Sequence, residues 1–226
     1  MNNVIKRRLT LREWQKMYKD PRNLIVQASF MDGSDSWQPF SIGMSWQYVY
    51  HFHKQEKIQI GPHEKTALVA ISTDTDRRRR PFPPNRDTIK TTLEYNGYTN
   101  VSLDPGVYYD SLPHYKFVVS PQGNGIDCHR HYEALLAGAI PIMDAHHLLL
   151  EKYRDLPVLW TEDYGEITES YLLRKYDEML DKTYDFSSLF LNCHTPENRK
   201  NIIECGNYWT WRMAEQRPYY LMQGIS

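Results

Sequence analysis

The chain has 226 residues, 41% hydrophobic and 24% charged, which are the proportions of a folded globular protein and exclude wholesale disorder. Lys and Arg number 27 against 28 Asp and Glu, so the formal net charge is -1, without the basic excess expected of a dedicated nucleic-acid binder. Three cysteines, Cys128, Cys193 and Cys205, are too few for a disulfide scaffold and point to reduced thiols, and no stretch approaches the ~20 apolar residues of a membrane span.

The first residues, MNNVIKRRL, carry positive charge with no apolar run behind them, so a cytoplasmic chain without a secretory leader is expected. Thr10 and Glu13 have capping-box spacing, which predicts a helix over 11–19. Residues 23–30 (NLIVQASF) read as a strand running into the turn-rich loop 31–35. Residues 37–60 hold Trp37, Trp46, Tyr48, Tyr50, His51 and His53 in mixed periodicity and receive no assignment. Beyond them the pattern is regular. Strands are expected at 67–72, 101–103, 116–120, 139–143 and 157–160. Helices are expected at 87–95 (closed by Asn96-Gly97), 127–137, 146–153, 168–180 and 196–216, the last with Thr195 as N-cap and Pro196 in its first position. Strands alternating with helices imply an α/β fold with a doubly wound parallel sheet. Ligands then bind beyond the carboxyl ends of the strands, here loops 31–35, 73–80, 121–127 and 162–166.

Residues 120–143 (SPQGNGIDCHRHYEALLAGAIPIM) carry the most information. They read as strand, glycine loop, helix, tight exit and strand. Gly123 and Gly125 allow backbone amides to approach an anion. Asp127 can cap the helix, whose amino end offers unpaired N–H groups and a partial positive charge, and Gly138 is a natural terminator. Cys128, Tyr132, Leu135 and Leu136 share one helix face and should be buried. Arg130 and Glu133, three apart, share another. They suit a nucleotide, the guanidinium reading a diphosphate and the carboxylate accepting from ribose hydroxyls. The alternative is a surface ion pair behind an ordinary turn.

In order, Ser120-Pro121, Gly123, Arg130, Glu133-Ala134-Leu135, Gly138 and Ile140-Pro141 resemble the donor-binding half of exostosin-like glycosyltransferases, which have the GT-B fold. Leu156-Pro157-Val158-Leu159 and Asp163-Tyr164-Gly165-Glu166-Ile167-Thr168 resemble that family's next strand and loop. The likeness spans residues 65–181 and is nearest to soluble viral and bacterial members, such as those that glycosylate giant-virus capsid proteins.

The resemblance implies a transferase moving a sugar from a nucleotide-diphosphate donor, a UDP-sugar first among them, to a glycan or glycoprotein acceptor, with no divalent metal required. Ser120, Gly123, Asn124 and Gly125 would form the donor loop. Arg130 and one of the Arg77–Arg80 run, with Arg77 and Arg78 favoured, would hold the diphosphate. Glu133 would hold the ribose, and Asp163 or Tyr164 would touch base or sugar. Asp32 or Asp35 would deprotonate the acceptor, with His51 and His53 as alternatives. Retaining relatives place a second glutamate eight residues before the ribose glutamate, and that position here is Gly125, which favours inversion. Residues 1–64 form a short acceptor-side part, 65–194 the donor domain and 195–226 a helix returning to the amino-terminal part. So short a first part suits either a minimal enzyme or one domain of a larger protein.

Other constellations have readings of their own. Asp74-Thr-Asp76 follows a strand, as in metal-dependent GT-A transferases, but also suits a turn. Arg77–Arg80 suits a solvated loop or a nucleic-acid patch as well as a diphosphate clamp. Cys128, His129, His131, His146 and His147 suggest zinc, yet they circle their helix rather than converge.

Overall fold

The computed structural model describes residues 8–17, 42–53, 61–200 and 202. At its centre four parallel strands, β2 (Lys65–Leu68), β3 (Tyr115–Val119), β4 (Ile140–Asp144) and β5 (Leu159–Thr161), lie side by side in that order. Register pairs Ala67 with Phe117, Phe117 with Ile140 and Ile142 with Leu159. Their near-continuous apolar runs fit strands covered on both faces. The covering helices are α3 (Arg86–Tyr95), α5 (His129–Leu136), α6 (His147–Lys152) and α7 (Glu169–Leu180). The result is a mixed α/β architecture compatible with a Rossmann-like fold. Each element falls within a few residues of its expected place.

The expected strand 101–103 is not one. The chain there runs along the open edge of β2, where Val101 N donates to Val69 O at 2.9 Å. Asn100 ends the pairing by clasping Ile71, accepting from its amide at 2.7 Å and donating to its carbonyl at 3.2 Å. Helix α4 (Pro105–Ser111) follows, with Tyr108 and Tyr109 buried. Its Pro-Gly start disguised it as a loop. The chain thus leaves β2 toward its open edge and returns through α4 to β3, and the four strands follow one another in chain order across the sheet.

The amino-terminal residues pack directly on this unit. β1 (Arg8–Thr10) pairs antiparallel with β6 (Thr183–Asp185). The expected capping box opens α1 (Leu11–Trp14): Glu13 N donates to Thr10 Oγ1 at 3.2 Å, and Thr10 N donates to Glu13 Oε2 at 2.8 Å. Trp14 is fully buried, stacks on Phe186 at 3.9 Å and donates from Nε1 to Leu135 O at 2.6 Å. The unassigned stretch contains α2 (Trp46–His53), whose Tyr48 packs edge-on against Tyr109. Leu11, Trp14, Ile42, Tyr48 and Phe52 share one apolar core with Phe117, Leu135 and Ile142.

Gly97 and Gly138 close α3 and α5 as expected, with φ of 90° and 82°. Each is followed by an amide that reaches back five residues, Tyr98 N to Leu93 O and Ala139 N to Ala134 O, both at 3.0 Å. Thr195 accepts from Asn198 N at 3.2 Å, and the chain is helical from residue 196. The expected strand 23–30 and loop 31–35 lie outside the described residues, as does most of the helix expected to reach 216. Among the described residues no helix is long and apolar enough to cross a membrane.

Because Trp14 joins α1, α5 and the segment after β6, Trp14→Ala should cost about 3–5 kcal/mol of unfolding free energy in a urea titration. A loss within experimental error would show that the amino-terminal part is only loosely attached.

Candidate functional site

Beyond the ends of β2 and β3 lies a cluster of arginines. Arg86, 5% exposed, donates from Nη1 to Ser72 O (3.1 Å), from Nε to Gln122 O (2.8 Å) and from Nη2 to Pro121 O (2.9 Å). Burial lowers its pKa, and the nearby Asp76 charge works the other way. Asp76, 1% exposed, accepts from Arg86 N at 2.9 Å and pairs with Arg80 at 2.9 Å. Arg80 also reaches Gln122 O and Asp144, while Arg79 donates to Gly123 O at 3.2 Å and Gln122 Oε1 at 2.8 Å. Three guanidiniums therefore hold the carbonyls of residues 121–123. A Cβ on Gly123 would stand 2.9 Å from Arg86 Nη2, so this glycine makes room for an arginine of the protein itself.

Within the arginine run, the inner pair Arg79 and Arg80 faces the loop. Arg77 and Arg78 are exposed, and Arg77 pairs with Asp74 at 3.1 Å. Asp74 and Asp76 share no partner: one is exposed beside Arg77, the other buried beside Arg80. Among the described residues no group of three or more His, Cys, Asp or Glu gathers as a metal site.

Helix α5 begins at His129, two residues inside the expected range, and its N-cap is Cys128 rather than Asp127. The Asp127 carboxylate is engaged elsewhere, accepting from Lys152 (2.7 Å), Tyr153 (2.6 Å), Tyr132 (2.8 Å) and Ile42 N (3.3 Å). Burial alone would raise its pKa, but Lys152, His131 and Tyr153 outweigh that and hold it below the usual range. Cys128 makes no side-chain cap bond, so the first-turn amides of α5 are uncapped by that route. The expected buried face is present: Cys128, Tyr132, Leu135 and Leu136 are all in the core or at its edge.

Arg130 and Glu133 share the other face. The Arg130 guanidinium lies over the Tyr108 ring at 5.3 Å, and its Nη1 is buried with no hydrogen-bond partner among the described residues. Glu133, 4% exposed, accepts at Oε1 from Ser45 Oγ (2.6 Å) and Ser45 N (3.2 Å). With its proton given to Glu133, the Ser45 hydroxyl accepts from Tyr109 OH at 3.1 Å. His129 Nδ1 donates to Gly43 O at 2.7 Å, and the buried His129 Nε2 has no hydrogen-bond partner among the described residues. Residues 42–45 thus lie as a strap over the first turns of α5. Ser45 and Arg86 were not expected from the sequence. A serine in an unassigned stretch and an arginine opening a helix carry no pattern of their own.

The other expected donor residues are dispersed. Ser120 is fully buried, and its hydroxyl donates to His131 Nδ1 at 2.7 Å because His131 Nε2 faces Ile126 O. Asn124 is exposed at the tip of the glycine loop and Gly125 is partly covered. Asp163 is exposed and makes a turn by accepting from Gly165 N at 2.7 Å. Tyr164 is buried, its hydroxyl without a hydrogen-bond partner among the described residues. Of the expected bases, Asp32 and Asp35 lie outside the described residues, and His51 Nε2 meets Asp110 at 2.7 Å.

Two predictions follow from this packing. Gly123→Ala should destabilise the protein by about 1–3 kcal/mol, because Arg86 is pinned by three carbonyls and cannot retreat. Calorimetric melting reads this, and an unchanged midpoint would contradict it. His131 is the second case: burial lowers its pKa to about 4, against the pull of Asp127. Its folded pKa lies below the unfolded value of about 6.5, so its contribution is complete above that value and is lost as pH falls toward 4. Urea titrations should show a loss of about 3 kcal/mol over that interval, reduced in His131→Gln, which can keep both hydrogen bonds. Equal slopes in the two proteins would contradict this.

No protein-family model matches this chain, and no curated protein matches it in sequence.

Proposed function

We propose that this protein is a glycosyltransferase that moves a sugar from a nucleotide-diphosphate donor, in the first instance a UDP-sugar, to a glycan acceptor with inversion at the anomeric carbon. It would be an exostosin-like enzyme of GT-B type. The observation that carries this reading is the buried Nη1 of Arg130, without a hydrogen-bond partner among the described residues, one turn from the Glu133 carboxylate and behind a glycine loop that follows a strand of a parallel sheet. A diphosphate supplies the acceptor that Arg130 lacks and also suits the amino end of α5.

Ser45 bears on the sugar end of the nucleotide. It offers Glu133 one O–H and one N–H, as a pair of ribose hydroxyls would offer two O–H groups. Nucleotide entry therefore exchanges like for like, Ser45 leaving as the ribose arrives. As the glycosidic bond breaks, negative charge collects on the diphosphate, and a fixed guanidinium stabilises that state more than the ground state. The acceptor proton passes to a carboxylate of the amino-terminal part, Asp32 or Asp35 in this reading.

Calorimetry with UDP-glucose, UDP-galactose, UDP-N-acetylglucosamine and GDP-mannose tests the site. Binding of at least one is expected, weakened at least about tenfold by Arg130→Ala and by Glu133→Gln, as for loss of a charge-assisted hydrogen bond. Ser45→Ala should bind the same donor more tightly, since Glu133 loses the shorter of its two competing donors, the hydroxyl, and keeps only the backbone N–H. Equal affinities in wild type, Arg130→Ala and Glu133→Gln would remove the assignment. Binding without UDP release from any donor and acceptor pair would instead mark a nucleotide-binding module.

A further inference from the structure

A cleft of about 530 Å³ opens beyond the carboxyl ends of β3, β4 and β5, and neither Arg130, Glu133 nor Ser45 is among its walls. One side is apolar, formed by Pro81, Phe82, Pro83 and Pro84, with Phe82 79% exposed. The other side is polar and balanced in charge, with Arg79 and Arg80 against Asp144 and Glu162.

We infer that this cleft binds a neutral saccharide ring, stacked on Phe82 and held by its hydroxyls on Asp144 and Glu162. Its size lies within the range of small-molecule sites. Both arginines are already committed. Arg80 is tied to Asp76, Asp144 and Gln122 O, and Arg79 to Gly123 O and Gln122 Oε1. With two carboxylates facing them, the lining offers a phosphate or a polyanion no net positive field. A pyranose has what the walls ask for: an apolar C–H face for an exposed aromatic ring, and a rim of hydroxyls that donate to carboxylates. Glu162 is exposed at the mouth, and Asp144 is anchored deeper by Gln122 N at 2.7 Å, so the two acceptors stand at different depths along one ligand edge.

The inference does not need the nucleotide reading, and the test separates them. The full chain is titrated by NMR with the methyl glycosides of glucose, galactose, mannose and N-acetylglucosamine, beside glucose 1-phosphate and uridine. At least one neutral glycoside should saturate, weakened about fivefold in Phe82→Ala and in Glu162→Gln, retained in Phe82→Tyr and unchanged in Glu133→Gln. Phe82 and Glu162 are exposed, so both variants should fold as the wild type does. Absence of saturation by every neutral glycoside, equal binding in Phe82→Ala, or tighter binding of glucose 1-phosphate or uridine in this cleft overturns the inference. UDP-sugar affinity measured on the same samples shows whether the site on α5 stands or falls separately.

Discussion

Three backbone carbonyls, those of Ser72, Pro121 and Gln122, point at the buried guanidinium of Arg86 beyond the ends of two neighbouring parallel strands. Without that cation Pro121 O in the loop from β3 to α5 would lose its arginine donor and Gln122 O would keep only Arg80, and a buried carbonyl left unpaired carries a substantial penalty. Asp76 supplies the compensating charge, and Arg80 links both to Asp144 at the end of β4. The loop is therefore held on its carbonyl side by arginines. Gly123 is small because a guanidinium passes beside it, and the start of α5 is held separately, through Asp127 bound to Lys152, Tyr153 and Tyr132.

The position of α5 decides what its polar face can do. Among the described residues nothing pairs with the buried Nη1 of Arg130, a nitrogen that is costly to leave without an acceptor. Glu133 is satisfied by a serine from a strap that Asp127 fastens at the other end, through Ile42 N. The strap and the helix thus form an arrangement in which protein donors occupy the place proposed for ribose hydroxyls. In such an exchange Glu133 keeps two donors at Oε1, while Tyr109 OH and Tyr48 N give up the Ser45 hydroxyl.

Much of the fold is legible in the sequence. Apolar runs mark the four central strands, and Gly97, Gly138, Thr10 and Thr195 mark helix ends by local chemistry that tertiary contacts do not override. Two readings failed because the deciding partner is distant in sequence. Asp127 looks like a cap by position, yet Lys152 and Tyr153 claim its carboxylate. Residues 101–103 have strand composition, yet Asn100 terminates their pairing with β2. In the candidate site, the shared helix face of Arg130 and Glu133 is legible from their spacing of three. Which arginines of the run face inward was not, since four adjacent identical residues carry no phase, and Ser45 became visible only once α5 and the strap were brought together.

A crystal structure grown with saturating UDP tests the central claim most directly. The account predicts diphosphate oxygens at the amino end of α5 within hydrogen-bond reach of Arg130, the ribose hydroxyls on Glu133, and the Ser45 hydroxyl withdrawn from that carboxylate. A nucleotide bound elsewhere, with Ser45 still on Glu133, would contradict it.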